Sequence, residues 1–453
     1  MNFDYLVDFL EEKHLSKKES FMFVIAVGFM LFALFFGAGN LIFPVMLGQS
    51  AGSNIWLANA GFIVTGVGLP LLGVLALGYS GKSDLQALAS RAHPVFGLIF
   101  TTVLYLAVGP LFAIPRTGSV SYEIGVKPFL PEDVGFLPLL IFTIIFFGMT
   151  CYFSMNASKI VDIVGKILTP LLLIFIAILI ITAIIYPMGE FQAPTKPYLN
   201  HSFFKGFQDG YLTMDTLAAF VFGIIVIQTI KDKGIVSKSN IMITCIKAGL
   251  LSAILLAIIY SALTYIGASS VNKLGLLDNG ATILAGVSSH YFGSYGKILI
   301  GFIVLAACLT TSIGLITSSA SYFHKLFPKI SYKMFSVILS IISAIFANVG
   351  LMKLISISEP VLVAIYPLAI CLIFLTFFHS IFKGKSEVYI GSLFLTFIIS
   401  LIDGLKEAGL HIRSLDQLLK GILPFYSVGM GWLIPAIIGG FLGFVLSYIK
   451  KIR

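Results

Sequence analysis

The 453-residue chain is predicted to be an all-α polytopic membrane protein of about twelve transmembrane helices. Three observations predict it. Hydrophobic residues make up 58% of the chain and charged ones only 11%, against roughly 25% charged in soluble domains. Mean hydropathy is +1.02. The apolar residues come in runs of about 20, enough to cross a hydrocarbon core about 30 Å thick, and not in the ten-residue alternating stretches of a membrane barrel.

Span 1 covers residues 21–47 and is broken at its middle, where Phe32-Ala33-Leu34-Phe35-Phe36-Gly37-Ala38-Gly39-Asn40-Leu41-Ile42-Phe43-Pro44 sets two glycines and an asparagine. Glycine weakens a helix interior by roughly 1 kcal/mol, and an unpaired backbone group in hydrocarbon costs several more. Such a break survives best where it lines a polar cavity, the arrangement of transporter helices. Close helix packing of small residues is the competing reading. Spans 2 to 5 cover 55–79, 94–114, 136–154 and 160–186. Span 6, at 203–230, carries Gly210-Tyr211-Leu212-Thr213-Met214-Asp215-Thr216-Leu217 and so places a carboxylate at membrane depth, at a cost of about 2.5 kcal/mol or more. Asp215 is therefore a functional candidate, with a bond to exposed backbone as the alternative. Span 7 covers 240–267. Span 8, at 295–322, reads Ala306-Ala307-Cys308-Leu309-Thr310-Thr311-Ser312-Ile313-Gly314 and then Thr317-Ser318-Ser319. Hydroxyl and carbonyl oxygens suit a hard cation, although such hydroxyls also bond back to the preceding turn. Spans 9 to 12 cover 334–350, 359–380, 388–404 and 428–449; Glu359 before Pro360 reads as a helix start.

Spans 1 and 6 lie five apart, so two five-helix repeats of opposite topology would make their breaks equivalent around a central site. The expected organisation is one transmembrane domain over 21–453, with repeats over 21–186 and 203–380 and extra helices over 388–449. Residues 1–20, with Phe3, Leu6, Val7 and Leu10 at helical spacing, read as a cytoplasmic, interfacial segment. Of 29 Lys and Arg, 18 fall on the side of both termini and 10 on the other, Arg116 among them. That asymmetry makes the termini cytoplasmic. It also accounts for most of the +9 charge, so nucleic acid is not an expected partner; the lipid bilayer is. Trp56 and Trp432 fall at outer span ends, where an amphipathic ring suits the headgroups. Cys151, Cys245, Cys308 and Cys371 stand singly and read as filler. The seven histidines fall at span ends or loops, which leaves no nucleophile–base pair or metal cluster for an enzyme. No repeated filter sequence suggests a channel.

The FALFFGAGNLIFP and GYLTMDTLAA segments and the lysine-flanked layout resemble the bacterial branched-chain amino acid:cation symporters of the LIV-II type, over essentially the whole chain. That family is similar in turn to the five-plus-five inverted-repeat transporters, which include the neurotransmitter:sodium symporters. The resemblance implies plasma-membrane import of leucine, isoleucine and valine with sodium as coupling ion and no organic cofactor. It implies a sodium site from carbonyls of Ala33, Phe36 and Ala307 with hydroxyls of Thr310 and Thr311. The substrate α-carboxylate would meet N–H groups around Gly37, Ala38, Gly39 and Asn40, and its ammonium Thr213, Met214, Asp215 and Thr216. Met214, Phe220 and Tyr105 are candidates for the aliphatic pocket. Two departures stand out: span 7 has no interior asparagine for a second sodium, and Leu41-Ile42-Phe43-Pro44 lacks an outer-gate arginine. A proton-coupled or exchanging permease for another neutral amino acid is the alternative, and oligomeric state is left open.

Overall fold

The computed structural model describes residues 21–82, 84–131, 135–155, 169–235 and 237–452. The expected interfacial segment over 1–20 and the start of span 5 lie outside them. Among the described residues there is no strand; seven helices are long and apolar enough to cross a membrane, eight if the bent pair of span 6 counts as one, and shorter apolar helices lie at the other expected positions.

Span 1 is two helices, α1 (Phe21–Phe35) and α2 (Ala38–Ala51), with Gly37 extended between them at φ −121° and ψ −154°. Span 2 is α3 (Ile55–Ile63) and α4 (Leu69–Ser80), joined by a π turn at Val64–Gly68. Span 3 begins as α5 (Pro94–Leu106) and passes through a second π turn at Ala107–Leu111, where Gly109 leaves helical geometry. It then continues as α6 (Ala113–Gly125). The sequence reading ended this span at 114 and put Arg116 in an external connection. That placement is corrected: α6 is buried against later helices, because Gly118 and Gly125 allow close approach and Ser119 donates to Ala347 O at 2.9 Å.

Two further helices, α7 (Leu137–Ser154) and α8 (Thr169–Ile185), complete the first half. Span 6 comprises α9 (Ser202–Asp209), a 3-10 turn at Gly210–Thr213 and α10 (Asp215–Asp232), its two halves bent by 45°. Met214 sits at the joint in the left-handed region, φ 64°, a conformation that costs a side-chain-bearing residue about 1 kcal/mol or more. The Thr213 hydroxyl bridges this joint, accepting from Asp215 N–H at 3.3 Å and donating to Gly210 O at 2.9 Å. There follow α11 (Lys238–Leu274), α12 (Gly280–Leu326, kinked at left-handed Gly293), α13 (Tyr332–Ala347) and α14 (Leu351–Phe377). The last helices are α15 (Ser386–Glu407), a short α16 (Arg413–Ile422) and α17 (Leu433–Ile452). Glu359 lies inside α14, which starts at Leu351, so it does not start a helix. Trp56 is 59% exposed as expected of an interfacial ring, whereas Trp432 is only 3% exposed and packs inward.

Packing is set by glycine. In α2 and α11 a methyl on Gly48 would lie 2.0 Å from Thr264 O, and one on Gly267 would lie 2.1 Å from Val45 O. The same reciprocal pair recurs between α3 and α9, where Gly61 faces Phe203 O and Gly206 faces Ala58 O, both at 1.9 Å. Backbones touch at both places. Span 1 against span 7 thus repeats as span 6 against span 2, the exchange required if spans 1 and 6, and 2 and 7, are counterparts.

Replacing Gly206 by alanine should cost about 1–3 kcal/mol by overpacking and lower the melting temperature in detergent by several degrees. Gly148→Ala, at an exposed position of α7 with open space around it, should be neutral or slightly stabilising, since alanine is the better helix former.

Candidate functional site

The two breaks meet. Asn40, in the first turn of α2, accepts from Gly37 N–H through Oδ1 at 3.1 Å, which supplies one of the backbone donors freed by the break. With Oδ1 so committed, its Nδ2 points across to α10 and donates to Asp215 Oδ2 at 2.6 Å. The Tyr260 hydroxyl of α11 donates to the same oxygen at 2.8 Å and also bonds Asn40. All three side chains are buried. Both bonds converge on Oδ2 and neither reaches Oδ1. Nothing in the sequence singled out Tyr260, whose one signal is a hydroxyl within an apolar span.

Arg116 approaches from α6. It is 3% exposed, donates to Leu212 O at 2.7 Å and to Thr213 O at 3.4 Å, and lies 5.0 Å from the centroid of the Phe43 ring. A methyl on Gly39 would come within 2.8 Å of its Nη2. Its Nε has no partner. A guanidinium therefore stands beside Phe43 after all, delivered by span 3 and not by span 1.

Between these groups is a cavity of about 20 Å³, room for a water or two, so a larger ligand requires its walls to part. Its lining combines Gly37–Asn40, Arg116, Thr117, Thr213 and Asp215 with the apolar Leu34, Phe35, Val108, Ala218, Phe222 and Leu315. Of the expected substrate residues, Gly37, Ala38, Gly39, Asn40, Thr213, Met214 and Asp215 line it. Three do not. Thr216 donates to Thr65 O, at the π turn of span 2, at 3.0 Å; Phe220 is buried elsewhere; and Tyr105 stacks on Tyr322 at 4.3 Å. The apolar wall comes instead from spans 1, 3, 6 and 8. Beyond the Arg116–Leu212 bond is a wider cavity of about 320 Å³, whose walls include Tyr211, Leu212, Lys205, Asp209, Glu359 and Asp403.

A second small cavity, about 10 Å³, is lined by Ala33, Phe36, Ala306, Thr310, Thr169 and Leu172. Thr310 donates to Ala307 O at 2.8 Å, and Thr311 donates to Leu34 O at 3.1 Å and Ala33 O at 3.4 Å. Ala33, Phe36 and Thr310 thus come together as expected. Ala307 stands behind Thr310, and Thr311 faces the larger central cavity. The donors are neutral oxygens, and among the described residues no group of three or more His, Cys, Asp or Glu could hold a metal. That chemistry fits a monovalent hard cation.

Tyr260→Phe keeps the ring but takes one donor from a buried carboxylate, so stability should fall by about 1–3 kcal/mol. The same change made in an Asp215→Asn background should cost clearly less, a coupling that a double-mutant cycle on melting temperatures will show.

Comparison with known proteins places the whole chain. Residues 20–450 match the family described as branched-chain amino acid transport protein. The branched-chain amino acid permease BrnQ of Bacillus subtilis is 60% identical over 96% of this chain and 99% of its own length. BrnQ of Escherichia coli is 39% identical over 92% and 93%. Among solved structures, Mhp1, a nucleobase-cation-symport-1 family transporter, superposes at TM-score 0.63 with 12% identity over 94% of this chain and 92% of that one. MhsT, solved with L-phenylalanine, gives 0.56 with 18% identity over 93% and 98%. These two share the fold, and the sequence relatives decide the kinship: the chain belongs to the branched-chain amino acid transport protein family, as a permease and not an enzyme.

Proposed function

We propose that the protein imports leucine, isoleucine and valine across a bacterial plasma membrane by sodium symport with alternating access. One observation carries the reading: a cavity lined by both charged and apolar groups is connected, through the Thr311 bond to Ala33 O, to a smaller one lined in part by Ala33 and Thr310. The family supplies the substrate class.

The substrate carboxylate would take the N–H groups at the start of α2, where a helix favours an anion. Its ammonium would face Asp215 Oδ1. The branched side chain would lie on Leu34, Phe35, Val108, Phe222 and Leu315, a wall that offers polar side chains no partner and so penalises them. Sodium would be held by Ala33, Phe36, Thr310, Thr311 and Ala307, and supplies there a charge that draws α1 and α12 together. Thr311 bonds the α1 carbonyls and also lines the substrate cavity, so it connects the two ligands. With the basic side cytoplasmic, the 320 Å³ cavity is the entrance from outside. Asp215, a carboxylate in the cavity wall, favours the runner-up reading of a proton-coupled or exchanging permease.

Uptake of leucine into proteoliposomes under an imposed sodium, proton or null gradient separates the two. Sodium-driven accumulation is expected; equal accumulation with only a proton gradient rejects sodium coupling. In the same assay the double change Thr310→Ala and Thr311→Ala should weaken sodium activation by about tenfold or more and reduce leucine affinity through the reciprocal linkage. Wild-type activation would make both hydroxyls packing groups.

Asp215→Asn keeps volume and hydrogen bonding and removes the charge, whose attraction for an ammonium is strong in a low-dielectric cavity. Leucine binding at saturating sodium should fall by clearly more than the accompanying drop in melting temperature accounts for. Normal binding by the folded variant removes Asp215 from the substrate site.

A further inference from the structure

We infer that Arg116 is the counter-ion of the substrate α-carboxylate, so that the protein selects for a free carboxyl group as well as for a branched side chain. The inference rests on the proposal that the central cavity takes an amino acid.

A buried cation is costly unless an anion or a full set of acceptors compensates it. Arg116 has neither. Among the described residues no carboxylate oxygen lies within ion-pair distance of it, and its nearest charged neighbour in the cavity, Asp215, is held by Asn40 and Tyr260. Two carbonyls accept from its Nη atoms, and Nε, fully buried, has no acceptor.

Its position supplies the second argument. The guanidinium lies against the Cα of Gly39, in the first turn of the 14-residue helix α2. The first N–H groups of that helix have no intrahelical acceptor and make its start electropositive. Two positive features have been brought together in a water-poor cavity, an arrangement that repels itself until an anion lies between them. A carboxylate does so with matching geometry, since guanidinium presents paired donors to paired oxygens. Asp215, an anion, lines the same cavity. The two charges therefore match a zwitterion end to end, and glycine at 39 is what lets the guanidinium reach the helix start. A carboxylate arriving there also competes with Leu212 O and Thr213 O for the Arg116 donors, which would loosen the contact between α6 and the span-6 joint.

The test is equilibrium binding of leucine and of leucinamide, which lacks the carboxylate, to the full-length protein in detergent, with sodium and with choline. Wild type should prefer leucine. Arg116→Gln should lose leucine affinity by on the order of 10- to 100-fold while leucinamide binds unchanged or tighter, because a repelling cation has gone. Arg116→Lys, which keeps the charge without the paired donors, should fall between. An equal loss for both ligands, or no preference for leucine in wild type, overturns the assignment and leaves Arg116 a packing group. If Arg116→Gln does not fold, the same ratio in Arg116→Lys decides: it should shrink, and an unchanged ratio overturns the proposal. The wild-type comparison of sodium with choline is read on leucine alone, so a failure of sodium coupling shows there and leaves the ligand ratio to judge the arginine.

Discussion

A helix interrupted inside a bilayer must find partners for the backbone groups it frees, since lipid offers none. In this protein one asparagine meets that demand for span 1 and decides much else. Asn40 accepts from the Gly37 N–H, and the amide is thereby turned so that its donor reaches Asp215 on the other broken span. Repair of one break thus fixes the orientation of the second. Tyr260 joins from a third helix, so a single buried carboxylate holds spans 1, 6 and 7 in register, and the cavity forms against it.

The charges in that cavity are arranged by distance along the chain. Asp215 follows the span-6 joint directly, whereas Arg116 arrives on a helix that has already passed through a π turn and a kink at Gly109-Pro110. Without that interruption, α6 would continue the line of α5. The π turn of span 2 acts similarly, with the Thr65 carbonyl accepting from Thr216. The irregular backbone of spans 1, 2, 3 and 6 gathers around the site, the pattern expected where bare polar groups are useful only if they face a cavity.

Much of this was legible in the sequence, and the reason is physical. Hydrocarbon thickness fixes span length, so twelve apolar runs are easy to count, and Gly-Ala-Gly-Asn or a mid-span Asp stands out against them. Seven of ten expected substrate residues line the cavity because they are the breaks themselves. Two causes account for what the sequence does not show. Arg116 reads as a loop residue because it follows an apolar run that ends near Ile114, and composition does not reveal that a helix continues to Gly125 after the kink at Gly109. Phe220 and Tyr105 were guessed by residue type, but which face of a helix meets a cavity depends on packing. Phe222, two positions on, lines the cavity; Phe220 does not.

The reciprocal glycine contacts have a mechanical consequence. Where a carbonyl oxygen sits against a Cα, neither helix can slide or roll without collision, so α2 is coupled to α11 and α3 to α9 as rigid couples. Helices zipped in this way cannot rearrange one at a time. Any movement of whole couples would have to turn at the unzipped places, and extended Gly37 and left-handed Met214 supply one such residue in each broken span.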